Sequence, residues 1–250
     1  MSRRWIIVLL LALSIGCSND APPTIKDDSV NDPAKEPQQD PGQGEKSSAL
    51  AAAEASIKDM NKMKAVAVSM HNYLAATQKF PMVEPGNGRI NSDLSWRVLV
   101  LAYLEHFAVY EKFDLSQPWN SAQNKPLISG PAEQVFSFED GDLICAIKVE
   151  DPPETFSQIP DGASNTVALM GNPNASADQW SSPVDFTVEE AVQTIKSLKK
   201  GESILVALYD GSVRKVYSTE GSEVTDEEIA ALFNPRDGTV INQRLFSPDQ

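Results

Sequence analysis

Few side chains in this chain have the type and spacing for chemistry. The 250 residues hold two histidines and two cysteines. His71 and His106 have no second His, Cys or Asp cluster at metal spacing, so both read as structural rather than ligating residues. Cys145 sits in Leu-Ile-Cys-Ala-Ile, without a basic neighbour to lower its pKa. It reads as a small buried hydrophobe rather than a nucleophile. No GxSxG, HExxH, P-loop, GxGxxG or CxxC pattern occurs. No catalytic residue, cofactor or metal is therefore assigned, and a non-enzymatic domain is expected.

Three polar motifs remain. In Asp161-Gly162-Ala163-Ser164-Asn165-Thr166, Gly permits positive φ, and Asp161, Ser164 and Asn165 can bond nearby backbone. This describes an ordered turn before a buried strand. The competing reading is a Ca²⁺ site using Asp161 and Asn165, and the turn is favoured. In Pro118-Trp119-Asn120-Ser121, Trp119 is either a stacking platform for sugars or a core plug, and core is favoured. Asp210-Gly211 between two apolar runs is the strongest hairpin signal in the chain. Arg97 and Arg214 can pair with acids, but the sequence does not choose their partners.

The elements that position these motifs change character along the chain. Ser47 or Ser48 can cap a helix over 48–77 that ends before Pro81. Ile57, Met60, Met63, Ala67, Met70 and Leu74 form its apolar stripe, which predicts a core-facing side. A second helix is expected over 92–113, capped by Ser92 or Ser95. Strands follow at 134–138 and 143–149 around a Gly-containing turn, at 166–170, and at 204–209 and 212–217 around Asp210-Gly211. Thr187 with Glu190, and Thr225 with Glu228, have capping-box spacing and open two more helices. The first runs to about Lys199 with Gly201 as its stop, and the second ends at Asn234-Pro235. Helices first and strands later imply an α+β domain with an antiparallel sheet.

Charge and the first residues speak to location. The 21 Lys+Arg and 35 Asp+Glu give a formal charge of −14, which argues against nucleic acid as a partner. Arg3 and Arg4 precede an apolar run over 5–13, far short of the roughly 20 residues a spanning helix needs. This is the pattern of a signal peptide over 1–16. Leu13, Ser14, Ile15, Gly16 and Cys17 resemble the lipobox of bacterial lipoproteins, although Ser14 stands where that pattern usually has Leu. The resemblance implies that Cys17 carries lipid and becomes the mature N-terminus, so the chain contacts the membrane through that lipid. Residues 17–46 then hold the lipidated Cys and an acidic, Pro-rich stretch with too little apolar surface to offset ordering entropy. A disordered tether is expected there, followed by a domain over 47–250. The expected location is the cell envelope, facing the periplasm or the exterior, with inner or outer membrane left open.

Several segments together resemble the bacterial family known as domain of unknown function 1559. They are Met70-His71-Asn72-Tyr73 with Phe80-Pro81, the block over 94–105 (LSWRVLVLAYLE), the block over 110–127, IPDGASNTVALMG over 159–171, and ALYDGSVRKV over 207–216. The resemblance implies a pseudopilin-like fold, a long N-terminal helix packed on an antiparallel sheet. A lipobox-like signal replaces the family's usual prepilin signature, which argues against assembly into a pilus. The family has also been labelled solute-binding. Two functions are therefore expected to compete: an envelope structural or interaction domain, and a solute- or glycan-binding lipoprotein. An envelope protein or a glycan is the matching candidate partner. Trp119, Asn120, Asp161, Ser164, Asn165 and Asp210 are the residues a binding site would draw on, and an exposed Trp119 or Trp180 in a concave pocket would favour solute or glycan binding.

Overall fold

The computed structural model describes residues 41–86, 88, 90–239 and 241–248. The expected signal peptide, Cys17 and positions 18–40 of the expected tether lie outside the described residues.

The chain enters through a long helix, α1 (Pro41–Thr77), of 37 residues. It begins before Ser47 and Ser48, the expected caps, and takes in the last residues of the stretch expected to be a tether. Two local preferences favour the earlier start. Proline suits the first helical position, and Ala49, Ala51, Ala52, Ala53 and Ala55 are the strongest helix formers. Met63, Val66, Ala67, Met70 and Tyr73 make the buried face. Ile57 and Met60, expected on that face, are 59% and 37% exposed. The fully buried face of α1 begins only at Met63; upstream, the helix meets the loop at Glu139 through Asp59 but buries no side chain completely. Beyond Thr77, Gln78 adopts φ 65° and returns its N–H to the Leu74 carbonyl.

The continuous helix expected over 92–113 is broken. Ser95 caps α2 (Trp96–Val100) by accepting from the Arg97 N–H. A 3-10 turn over Leu101–Tyr103 follows. Glu105 at φ 60° then separates it from α3 (Phe107–Tyr110). Every residue of α2 is buried. The apolar run is thus the mark of burial on all sides, not of one long amphipathic stripe.

Five strands form one sheet in the order β3-β1-β2-β4-β5. They are β1 (Leu143–Lys148), β2 (Val167–Asn172), β3 (Phe186–Thr187), β4 (Ser203–Leu208) and β5 (Val213–Tyr217). The pairs β1/β2, β2/β4 and β4/β5 are antiparallel. Strand β3 runs parallel to β1 through Ile147–Phe186 and Lys148–Thr187, so the sheet is mixed rather than antiparallel throughout. The residues between β2 and β3 carry the chain across to the free edge of β1, where a two-residue strand arrives in the parallel sense. The hairpin expected from 134–138 reduces to one bridge, Ser137–Leu143. Glu133–Val135 is instead a 3-10 turn that turns Phe136 into the core.

The capping boxes at Thr187 and Thr225 form as expected and open α4 (Val188–Ser197) and α5 (Asp226–Ala230). Helix α4 stops slightly short of Lys199, and Gly201 follows at φ 89°. Helix α5 ends short of Asn234, and the turn after it buries Leu232 and Phe233. All six residues of β2 are buried, so the sheet is covered on both faces. A Cβ on Gly171 would meet the Phe138 ring at 2.6 Å, which shows how closely that covering packs. Trp180 is the centre of an aromatic cluster. It stacks on Phe136 at 5.5 Å, meets Phe113 edge-on at 5.7 Å, and donates its indole N–H to the Ile128 carbonyl at 2.8 Å.

Two charged residues among those described, Glu84 and Arg97, are fully buried. Arg97 is fully buried and pairs with Asp185 at 2.8 Å. Its Nε donates to the Ile144 carbonyl at 2.7 Å, Nη1 to Ser95 Oγ at 2.8 Å, and Nη2 to the Val184 carbonyl at 2.9 Å. The same Asp185 oxygen accepts from the Ala146 N–H at 2.8 Å and from the Trp96 indole at 3.3 Å. This settles the Arg97 partner that the sequence left open. Arg214 instead lies over the Phe246 ring at 5.1 Å.

The loop before β1 is docked on α1 by charge. Lys62 reaches the Ser137 carbonyl and the Glu139 carboxylate, each at 2.9 Å, and the Glu139 N–H donates to Asp59 at 2.9 Å. Burial, then the charges of Asp140 and Asp59, pushes the Asp142 carboxyl up to about 6 from 3.8. A raised carboxyl pKa means that the folded state holds the proton more tightly. Its contribution is therefore present at low pH and lost as pH rises from 3.8 to about 6. Asp142→Asn should melt at a higher temperature than the unaltered protein at pH 7.5. The difference should shrink toward pH 4, which thermal denaturation across that range will measure.

Candidate functional site

The polar motifs fold against each other. Gly162 takes φ 100°, and Asn165 closes the turn by donating its side-chain amide to the Asp161 carbonyl at 2.9 Å. This turn docks on the β4–β5 hairpin. The Tyr209 N–H donates to the Thr166 carbonyl at 2.9 Å, and the Asp210 N–H to the Ala163 carbonyl at 3.0 Å. Asp210 accepts from the Ser212 N–H at 2.8 Å, and Gly211 sits at φ 80°. Helix α1 reads the back of this hairpin with two side chains seven residues apart, hence on one face. Lys64 donates to the Gly211 carbonyl at 2.7 Å, and His71 Nε2 lies 2.7 Å from the Tyr209 carbonyl. A carbonyl only accepts, so Nε2 carries the proton. His71 also leaves no room above Gly211, where a Cβ would meet its ring at 3.0 Å. On the other side, both Asp161 carboxylate oxygens accept from the Gly238 N–H at 3.1 Å. Asp161 and Asp210 are thus occupied in holding turns.

The remaining sequence-predicted residues do not join this cluster in an open cleft. Trp180 is buried. Trp119 is half-buried against the core, while Asn120 and Ser164 are exposed. Cys145 is buried, with Sγ 3.3 Å from the Val184 carbonyl. Burial pushes its thiol up to about 11, so it stays protonated at neutral pH. Among the described residues, no group of three or more His, Cys, Asp or Glu side chains is placed to hold a metal ion. No helix among them is long and apolar enough to cross a membrane.

Several hollows lie elsewhere among the described residues, and three bear on binding. One, of about 500 Å³, runs between the end of β1 and the residues after α5. Its Arg236 is taken up by Asp151, with Nη1 2.6 Å from the carbonyl and 3.0 Å from the carboxylate. A second, of about 420 Å³, lies beside Trp96 and Asp185, and its Lys148 donates to the Pro183 carbonyl at 3.1 Å. The third and largest is an open groove of about 720 Å³ between α1 and the segments around Tyr103 and Val135. None of the three is lined by Trp119, Asn120, Asp161, Ser164, Asn165 or Asp210.

The groove continues into an apolar surface that the sequence reading missed. Leu50, Ile57 and Val68 on α1 are 62%, 59% and 42% exposed. The helix around Leu50 is exposed on every side over 48–54. The signal was available as a spacing: residues 7 and 18 apart share one line of a helix with about 3.6 residues per turn. These three positions lie opposite the buried face that begins at Met63.

Residues 60–144 match the family model described as a protein of unknown function (DUF1559). The matched segment is similar to the DUF1559 family. It runs from the middle of α1 to the start of β1, and so includes α2 with Arg97, the wall of the groove and the docked loop at Glu139. The Asp161 and Asp210 motifs lie beyond the matched residues. No curated protein and no solved structure matches the chain. The family resemblance therefore comes with no assigned chemistry.

If the Asp161 turn is structural, Asp161→Ala should lower unfolding stability by about 1 kcal/mol, the scale of one lost charge-assisted backbone contact. Urea denaturation measures this. Unchanged stability would contradict the structural assignment.

Proposed function

We propose that this protein is a lipid-anchored, extracytoplasmic domain of the cell envelope that works by contact rather than by chemistry. Cys17 carries the lipid, and the α1 surface makes the contact. The observation that carries the contact reading is the row of exposed Leu50, Ile57 and Val68 continuing into the largest groove. A surface of this kind gains free energy when covered, at roughly 25 cal/mol per Å² of apolar area, and exposed apolar patches mark interaction sites. The alternative, solute or glycan binding, loses support at its aromatic platforms. Trp180 is inside the core, and Trp119 packs against it. The cationic side chains of the two smaller hollows already have protein partners.

Two measurements on the full chain test this. Cys17→Ala should move the protein from the membrane fraction to the soluble fraction, and continued membrane association contradicts lipid anchoring. A photo-cross-linking side chain at Ile57 should give a discrete adduct in intact cells, whereas one at exposed Lys199 should not. Absence of any Ile57 adduct contradicts the contact reading.

A further inference from the structure

The hollow of about 420 Å³ beside α2 has an apolar wall and one fixed polar end. Met82, Trp96, Ile147, Val149, Pro152 and Pro183 supply the wall. Mostly apolar lining with a few placed polar groups, at this size, is the makeup of a small-molecule pocket. The polar end is Asp185, whose side chain is only 8% exposed. Its two oxygens differ. Oδ1 takes every bond described above, from Arg97, the Ala146 N–H and the Trp96 indole. Oδ2 accepts from no group among the described residues, yet it is not sealed in. Three donors on Oδ1 keep the carboxylate from turning, so Oδ2 is the oxygen left to the hollow.

We infer that this hollow binds an uncharged, largely apolar solute that donates one hydrogen bond to Asp185 Oδ2. The direction of the bond follows from the group, since an ionised carboxylate only accepts. The absence of charge follows from the surroundings. Arg97 already matches the Asp185 charge at 2.8 Å, so a cationic ligand finds no uncompensated anion. Lys148, the other charged side chain of the lining, donates to the Pro183 carbonyl at 3.1 Å. An anionic ligand would have to lie against the carboxylate itself. A hydroxyl or amide N–H meets neither obstacle, and an acceptor already held in place costs little to engage. Ser92, exposed at the same hollow, offers a second hydroxyl contact. The features that count against glycans above, a buried Trp180 and paired cations, do not bear on a ligand held by an apolar wall and one acceptor. The site shares no lining residue with the α1 groove, so it stands or falls apart from the contact reading.

Cyclohexanol and cyclohexanone are the probes, because they are close in shape and only the alcohol can donate. In the purified full chain, cyclohexanol should move the Trp96 indole N–H resonance saturably. It should bind at least about tenfold more tightly than cyclohexanone, the scale of one hydrogen bond to a charged group. No saturable movement, or equal affinity for alcohol and ketone, overturns the inference. Tighter binding of cyclohexylammonium or cyclohexanecarboxylate than of cyclohexanol overturns the uncharged class. Two variants place the site. Ser92→Phe fills the hollow from an exposed position and should abolish the response at an unchanged melting temperature; cyclohexanol binding that persists there puts the ligand elsewhere and overturns the assignment. Asp185→Asn turns an amide toward the hollow and should erase the preference for the alcohol, whereas a preference that survives shows that Oδ2 is not the acceptor. If that variant does not fold, the alcohol–ketone comparison and Ser92→Phe decide the matter.

Discussion

The bond between Arg97 and Asp185 is the constraint on which the rest of the arrangement depends. A lone guanidinium in this core would be untenable, because an unpaired buried charge costs many kcal/mol. Here the charge is met by one carboxylate oxygen, two backbone carbonyls and a serine hydroxyl. These partners come from the cap of α2, the middle of β1 and the chain just before β3. The planar, forked guanidinium suits such a junction, since its donors point in fixed and different directions. Asp185 in turn holds the Ala146 N–H of β1. A strand of two residues has little ladder of its own, so the carboxylate is what brings β3 to the edge of β1. Buried pairs of this kind are weak evidence for net stability but strong determinants of geometry.

From that junction the surfaces are apportioned. With α2 buried and the edge of β1 occupied, α1 packs across the sheet only from Met63 onward. It is pinned there by polar contacts at two places. Lys64 and His71 hold the β4–β5 turn, and Lys62 holds the segment before β1. These contacts use the side and back of the helix. The opposite side, from Leu50 to Val68, has no such contacts. The apolar ridge is therefore a consequence of how α1 is fixed, and the groove beside it is the space left between α1 and the broken helix at Glu105.

Much of the local structure was legible in the sequence because its causes are local. Thr187 with Glu190, Thr225 with Glu228, and Asp210 with Gly211 each specify a cap or a turn within four residues, and each forms. The misses share a physical cause, since each depends on what lies across space. Full burial erases the periodicity that marks one face of a helix, so residues 96–110 read as one helix although Glu105 breaks it. Ile57 and Met60 fit the stripe of α1, but spacing cannot say where the layer beneath ends. Asp185 lies 88 residues from Arg97, beyond any pattern reading. At the candidate site, the polarity of Asp161 and Asp210 was visible. That the two turns dock on each other rather than on an open cleft was not.

A double-substitution cycle on Arg97→Lys and Asp185→Asn, read by chemical denaturation, tests the central claim most directly. Lysine keeps the charge but cannot reach all four acceptors, and asparagine keeps the shape but not the charge. If the two act as one junction, each single change should cost on the order of 3 kcal/mol, and the double change little more than the worse single one. Losses that simply add would show two independent contacts and contradict the account.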